Sequence, residues 1–159
     1  MIPFLFFSLS FANAQEEQRG VPQTKANANG DSLRLEALKA EAGKPSIYML
    51  SFTTRDTLPA DAVFELTFPP EFELSQLEVA GSRTMNGGIK LTKDRQKVLL
   101  KRTGLGRAVP PGKKVSLKFG LIRNPSNLNK TYIVKVVLRS QAKNIDLMNS
   151  DTRVQFLAR

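Results

Sequence analysis

Two carboxylates, Glu71 and Glu73, stand two residues apart behind the double proline Pro69-Pro70. On an extended chain they share a face, as two acids must when they converge on one glycosidic bond. The same pair also suits the solvated entry of a surface loop, and spacing alone does not separate the two readings. Asp146, Asn149 and Asp151 make a second oxygen-rich group within residues 144–152. Calcium takes six to eight oxygens from a tight loop. This segment lacks the central glycine of an EF-hand loop, and Leu147 and Met148 are suited to pinning it to a core. A third stretch, Gly104-Leu105-Gly106-Arg107, lacks the further glycine of a phosphate-cradling loop and reads as an ordinary connection.

Composition removes more chemistry than these motifs add. The 159-residue chain has no histidine and no cysteine. Ser-His-Asp and Cys-His nucleophilic sites are excluded, as is every metal site built on imidazole or thiolate. No disulfide can form, so a folded domain must rest on its core. We expect no cofactor, no metal and no enzymatic activity.

Positive charge is the feature that rises above background. The net charge is +10 at pH 7. Between Lys90 and Arg139 the chain carries Lys90, Lys93, Arg95, Lys97, Lys101, Arg102, Arg107, Lys113, Lys114, Lys118, Arg123, Lys130, Lys135 and Arg139, against the single acid Asp94. Such a field attracts polyanions and decays over a Debye length, about 8 Å at physiological salt. In a sandwich, Lys118, Lys135 and Arg139 are expected to share one outer face, with Lys97 and Lys101 on the same side or across. These five are the candidate binding residues. Outward basic residues on strands also keep a protein soluble and block edge-to-edge pairing. No aromatic is placed to stack on bases, so no specific nucleic-acid partner is expected.

The positions of these groups depend on the elements that carry them. Residues 1–14 form an uncharged apolar run closed by Ala12-Asn13-Ala14, the small-x-small ending that a signal peptidase accepts. It lacks the usual basic start, and a buried strand or a short membrane anchor are the rival readings. A spanning helix needs about 20 apolar residues, more than this run holds. Residues 15–31 are polar and small, with almost nothing to bury, and are expected to be a flexible linker. Residues 32–159 are expected to be one domain. The mature chain is then exported to the periplasm, cell surface or exterior, with no transmembrane segment.

That domain reads as strands. In 46–54, Tyr48, Leu50 and Phe52 fall on one face; in 62–68, Phe64, Leu66 and Phe68 do so. In 115–121, Val115, Leu117, Phe119 and Leu121 alternate with polar residues; in 132–138, Tyr132, Val134, Val136 and Leu138 form one side. Period-two alternation is what a half-buried strand requires, because successive side chains point to opposite faces. Weaker strands fall at 33–40, 77–80, 88–92, 97–103 and 152–157. The segment 33–40 starts with period two, though its Ala, Glu, Leu and Lys content also suits a helix. Val98, Leu99 and Leu100 run consecutively, which implies a bulge or cover on both faces. Turn residues at Asn86-Gly87-Gly88, Pro110-Pro111-Gly112 and Asn124-Pro125 complete an all-β pattern of about 7–9 short strands, that of an antiparallel sandwich.

The stretches SIYMLSFTTRDTLPADAVFELTFPPEF, VPPGKKVSLKFGLIRNP and TYIVKVVLRS follow one another in a familiar order. Across roughly 33–157 the chain resembles the immunoglobulin-like β-sandwich modules of bacterial and archaeal surface proteins of the S-layer type. The resemblance rests most on Phe68-Pro69-Pro70-Glu71-Phe72 and Ile122-Arg123-Asn124-Pro125. It implies a fold and an extracellular setting, and no catalytic residues. Those modules come in tandem and are often acidic, whereas this chain is single and basic.

Two functions fit. One is a binding or assembly module that docks an envelope protein through a sheet face or edge, helped by Ile133 and Val137 beside Lys135. The other is a basic protein for an anionic envelope polymer: acidic polysaccharide, lipopolysaccharide or teichoic acid.

Overall fold

Side-chain alternation organises the chain into nine strands in the computed structural model, which describes residues 33–157. The expected signal peptide (1–14) and linker (15–31) lie outside the described residues. The strands are β1 (Arg34–Ala37), β2 (Pro45–Thr53), β3 (Ala62–Thr67), β4 (Val79–Gly81), β5 (Ile89–Asp94), β6 (Lys97–Arg102), β7 (Lys114–Arg123), β8 (Ile133–Ser140) and β9 (Ile145–Phe156). They are hydrogen-bonded in the order β4-β7-β2-β1-β9-β8-β3-β6-β5.

This order folds into two layers that share β9. Its C-terminal part pairs β1, with Leu35 opposite Val154, in the back sheet β4-β7-β2-β1-β9. Most of its length pairs β8, from Ile133 opposite Arg153 onward, in the front sheet β9-β8-β3-β6-β5. The expected antiparallel sandwich is present with one exception, since β1 and β9 run parallel. Parallel neighbours need a long connection between them, and here the whole domain supplies it.

Between the layers lie the residues that alternation assigns to the core: Tyr48, Leu50 and Phe52 from β2, Phe64 and Leu66 from β3, and Val134, Val136 and Leu138 from β8. Tyr48, Phe68, Phe72 and Tyr132 pack edge to face, with the Phe72 and Tyr132 ring centroids 5.2 Å apart. The Tyr48 hydroxyl donates to Asn124 Oδ1 at 2.5 Å. Asn124 Nδ2 donates in turn to the carbonyls of Lys39 and Glu41 at 2.8 and 2.9 Å. Burial pushes the Tyr48 phenol far above its usual pKa, so it serves as a neutral donor.

The strand expected at 33–40 is present, and three local expectations change. The segment 33–40 is a strand, with Leu35 and Ala37 fully buried against β2 and β9, so packing decides over helix propensity. Strand β6 keeps an unbroken register with β3 and β5, without a bulge; Val98 and Leu100 point in and Leu99 out. In β7 the alternation slips. Ser46 faces Ile122 and Tyr48 faces Phe119, so Ile47 stands opposite the extra pair Gly120 and Leu121. The slip sends Leu121 to the surface and buries Ile122 in its place. Finally, β9 begins at Ile145, so the oxygen-rich segment is a strand and not a loop.

Candidate interaction face and loop end

The register of the front sheet fixes the neighbours on its outer face. Thr67 of β3 lies between Lys97 of β6 and Lys135 of β8. Two residues along, Glu65 lies between Leu99 and Val137; two further, Val63 lies between Lys101 and Arg139. Four of the five candidate binding residues, Lys97, Lys101, Lys135 and Arg139, therefore frame one patch whose middle is Val63, Glu65, Leu99 and Val137. The fifth does not join them. Lys118 pairs with Met49 and Gly81 in the back sheet, so it faces solvent from the opposite side of the sandwich. Alternation tells which side of its own strand a residue takes, not which layer that strand enters.

The frame is less basic than the sequence suggests. Lys97 Nζ is 3.1 Å from Glu65, and Arg139 Nε is 2.8 Å from Asp146. Asp94 stands opposite Lys97 on β5, and Asp151 opposite Lys135 on β9. Charges of both signs thus alternate around a centre whose one charge, Glu65, is paired with Lys97. Of the two apolar residues expected to face outward, Ile133 is 54% exposed, whereas Val137 is 4% exposed. Val137 lies on the outer face yet is covered by its neighbours there, since it belongs to the outward row and not to the core cluster.

Three of the carboxylates that suggested chemistry, Glu71, Glu73 and Asp146, are each paired with a cation. Glu71 pairs with Lys130 Nζ at 2.6 Å, and that hydrogen bond lowers its pKa. Glu73 pairs with Arg123 Nε at 2.8 Å and accepts from Ser75 Oγ at 2.7 Å. Each acid has its own cation, so the two do not converge as a glycosidase pair. Asp146, Asn149 and Asp151 are strung along β9, which at roughly 3.3 Å per residue spreads them too far for one ion. Among the described residues no group of three or more acids could hold a metal ion, and no helix is long and apolar enough to cross a membrane.

One residue that reads in the sequence as surface charge lies inside. Arg102 is 1% exposed and closes the end of the sandwich opposite Asn124. Its Nη1 donates to the carbonyls of Pro59 and Leu58 at 2.6 and 3.4 Å. Its Nη2 donates to those of Arg107 and Asn86 at 2.7 and 3.1 Å. One planar cation thus ties together the loops 54–61, 82–88 and 103–113. Burial lowers its pKa while Asp61 acts in the opposite direction, and a guanidinium remains charged throughout. The signal for this was available: Val98, Leu100 and Arg102 alternate, so Arg102 falls on the inward side of β6.

No protein-family model matches the chain, and no curated protein matches it. Solved structures do. A cohesin module from the Clostridium perfringens ATCC13124 family 33 glycoside hydrolase is 15% identical, with a TM-score of 0.50 over 80% of this chain and 95% of that one. A complex of CaCohA2 with a variant of CaDoc0917 contains a chain 9% identical, with a TM-score of 0.50 over 79% of this chain and 100% of that one. An immunoglobulin-like protein from Nocardia farcinica is 14% identical, with a TM-score of 0.44 over 74% of this chain and 81% of that one. At such identities the likeness speaks for fold. The all-β sandwich read from the sequence stands, and it is of the kind found in cohesin modules.

Proposed function

We propose that this chain is a non-enzymatic binding module that docks a protein partner on the outer face of its front sheet. The observation that carries this reading is the patch itself: Val63, Leu99 and Thr67, half-buried, lie around Glu65, whose charge is paired with Lys97, and are framed by Lys97, Lys101, Lys135 and Arg139. A largely apolar centre without unpaired charge, inside a charged rim, is the anatomy of a protein interface. The interleaved Glu65, Asp94, Asp146 and Asp151 weaken the field that a polyanion would need, so the polymer reading has less support on this face. CaCohA2, which shares the fold, is found in a complex with a CaDoc0917 variant, which agrees with a role in assembly. The ending Ala12-Asn13-Ala14 supports export, and the partner would then be an envelope or surface protein.

The test is retention of the chain on cell envelopes of its source organism across a salt series. Docking on this face predicts retention that survives a few hundred millimolar salt and disappears after protease treatment of the envelopes. Leu99→Asp should then weaken retention by about tenfold or more, as expected for a charge placed in an interface centre. Lys118→Glu, on the back sheet, should leave it unchanged. Retention lost equally in both variants, or lost with salt alone, would refute the assignment.

A further inference from the structure

The loop between β6 and β7 presents Leu105 to solvent at 88% exposure, more than any other large apolar side chain among the described residues. A single exposed leucine on a loose loop needs no explanation. This one stands on a braced support. Gly106 lies so close to Asn86 that a Cβ on it would fall 1.9 Å from the Asn86 carbonyl oxygen. A Cβ on Gly87 would fall 2.7 Å from the Gly106 nitrogen. The two backbones are stacked with no room for side chains. The Gly104 amide donates to the Ala60 carbonyl at 3.1 Å, the Thr103 amide to the Gly88 carbonyl at 3.0 Å, and Arg102 holds the carbonyls of Asn86 and Arg107. Three loops thus brace a backbone turn that holds a hydrocarbon side chain out in solvent.

The same loops carry exposed cations: Arg55 on 54–61, Arg83 on 82–88, and Arg107 and Lys113 on 103–113. Lys113 is anchored beside Arg55, since its amide and carbonyl bond to Thr54. Lys90 and Lys101 stand opposite each other on the adjoining strands. Among the described residues none of these six forms an ion pair. Two acids belong to these loops. Asp61 accepts from the Ala142 amide at 2.7 Å, and Asp56 is exposed next to Arg55.

We infer that this end of the sandwich docks on an anionic lipid surface, with Leu105 entering the boundary between headgroups and acyl chains while Arg55, Arg83, Arg107 and Lys113 meet the lipid phosphates. A protein partner would grip an anchor through a packed cluster of apolar contacts, and this turn offers one leucine within a basic surround. A bilayer needs no complementary pocket. It rewards a protruding apolar group flanked by cations, each of which adds attraction to an anionic leaflet. The loop end and the outer face of the front sheet point in different directions, so docking at one does not require docking at the other.

The chain has no cysteine, so Leu105→Cys creates a unique thiol for an environment-sensitive nitrobenzoxadiazole label. The full chain is mixed with vesicles of phosphatidylcholine, alone or with phosphatidylglycerol. The expected result is a blue-shifted, several-fold brighter emission on the anionic vesicles only. The same label at Asn127→Cys, on the opposite end, stays in water. Adding Arg107→Glu and Lys113→Glu should weaken the apparent affinity by about tenfold or more while leaving the unfolding midpoint in place. If the chain sediments with anionic vesicles while the label at position 105 stays aqueous, another segment binds and the inference fails. It fails equally if neutral vesicles give the same response, or if soluble polyphosphate gives it without any lipid.

Discussion

At the end of the sandwich where β7 leads toward β8, Tyr48 and Asn124 close the core with neutral hydrogen bonds, and the surface cations Lys130 and Arg123 each meet a carboxylate. At the opposite end a buried cation, Arg102, closes the core on four carbonyls, and the exposed cations around it have no carboxylate partner among the described residues. Both ends solve the same problem, which is to satisfy backbone groups where strands stop. They differ in what remains outside. The first end is left nearly neutral, and the second keeps its field. A run of basic residues in sequence therefore does not become one basic surface. It is divided among pairs on the front sheet, pairs at one end, a buried clamp, and the unpaired group at the other end.

The contrast is broken most severely at Arg102. Arg102→Met removes one charge from the inside and leaves four carbonyls without their donor, which should destabilise the fold by about 3 kcal/mol in urea unfolding. Arg102→Lys should not restore it, because an ammonium lacks the planar fork. A loss below about 1 kcal/mol would mean that the three loops hold themselves. Gly106→Ala should cost about 2 kcal/mol, since its Cβ would meet the Asn86 backbone. Gly104→Ala, which meets nothing within 4 Å but has φ of +82°, should cost about 1 kcal/mol.

The neutral end should respond more mildly. Tyr48→Phe keeps the ring and removes one buried hydrogen bond, for a loss of about 1 kcal/mol. The smallest effect concerns pH. Hydrogen bonding to Lys130 holds the Glu71 carboxyl below its ordinary value. The stabilisation it gives is present above the unfolded pKa and is lost as pH falls through the lower folded value. Glu71→Gln should therefore flatten stability against pH only on the acid side. A change confined to alkaline pH would contradict this origin.

The fold is legible in the sequence wherever alternation runs unbroken. Tyr48, Leu50 and Phe52, or Val134, Val136 and Leu138, can face inward in only one register. Alternation misplaces Leu121 because a bulge is one extra residue, invisible to a period-two count until the partner strand is known. Composition misplaces the first half of β9: Asn144, Asp146, Asn149 and Asp151 are loop-forming types, and the strand form of this segment comes from pairing with β8. The patch on the front sheet is partly legible. Lys135 and Arg139 share a face by spacing, but their meeting with Lys97 and Lys101 depends on β3 lying between. Leu105 carries no signal at all, because exposure on a loop is set by the backbone stacking beneath it.

The parallel pairing of β1 with β9 has a mechanical meaning. Leu35 lies beside Val154 and Ala37 beside Phe156, so both strands run the same way and the described chain enters at one end of the sandwich and leaves at the other. A pull applied at Leu33 and Leu157 slides the two strands along each other. Their hydrogen bonds are then loaded side by side and must yield together, not one after another as in a peeled hairpin.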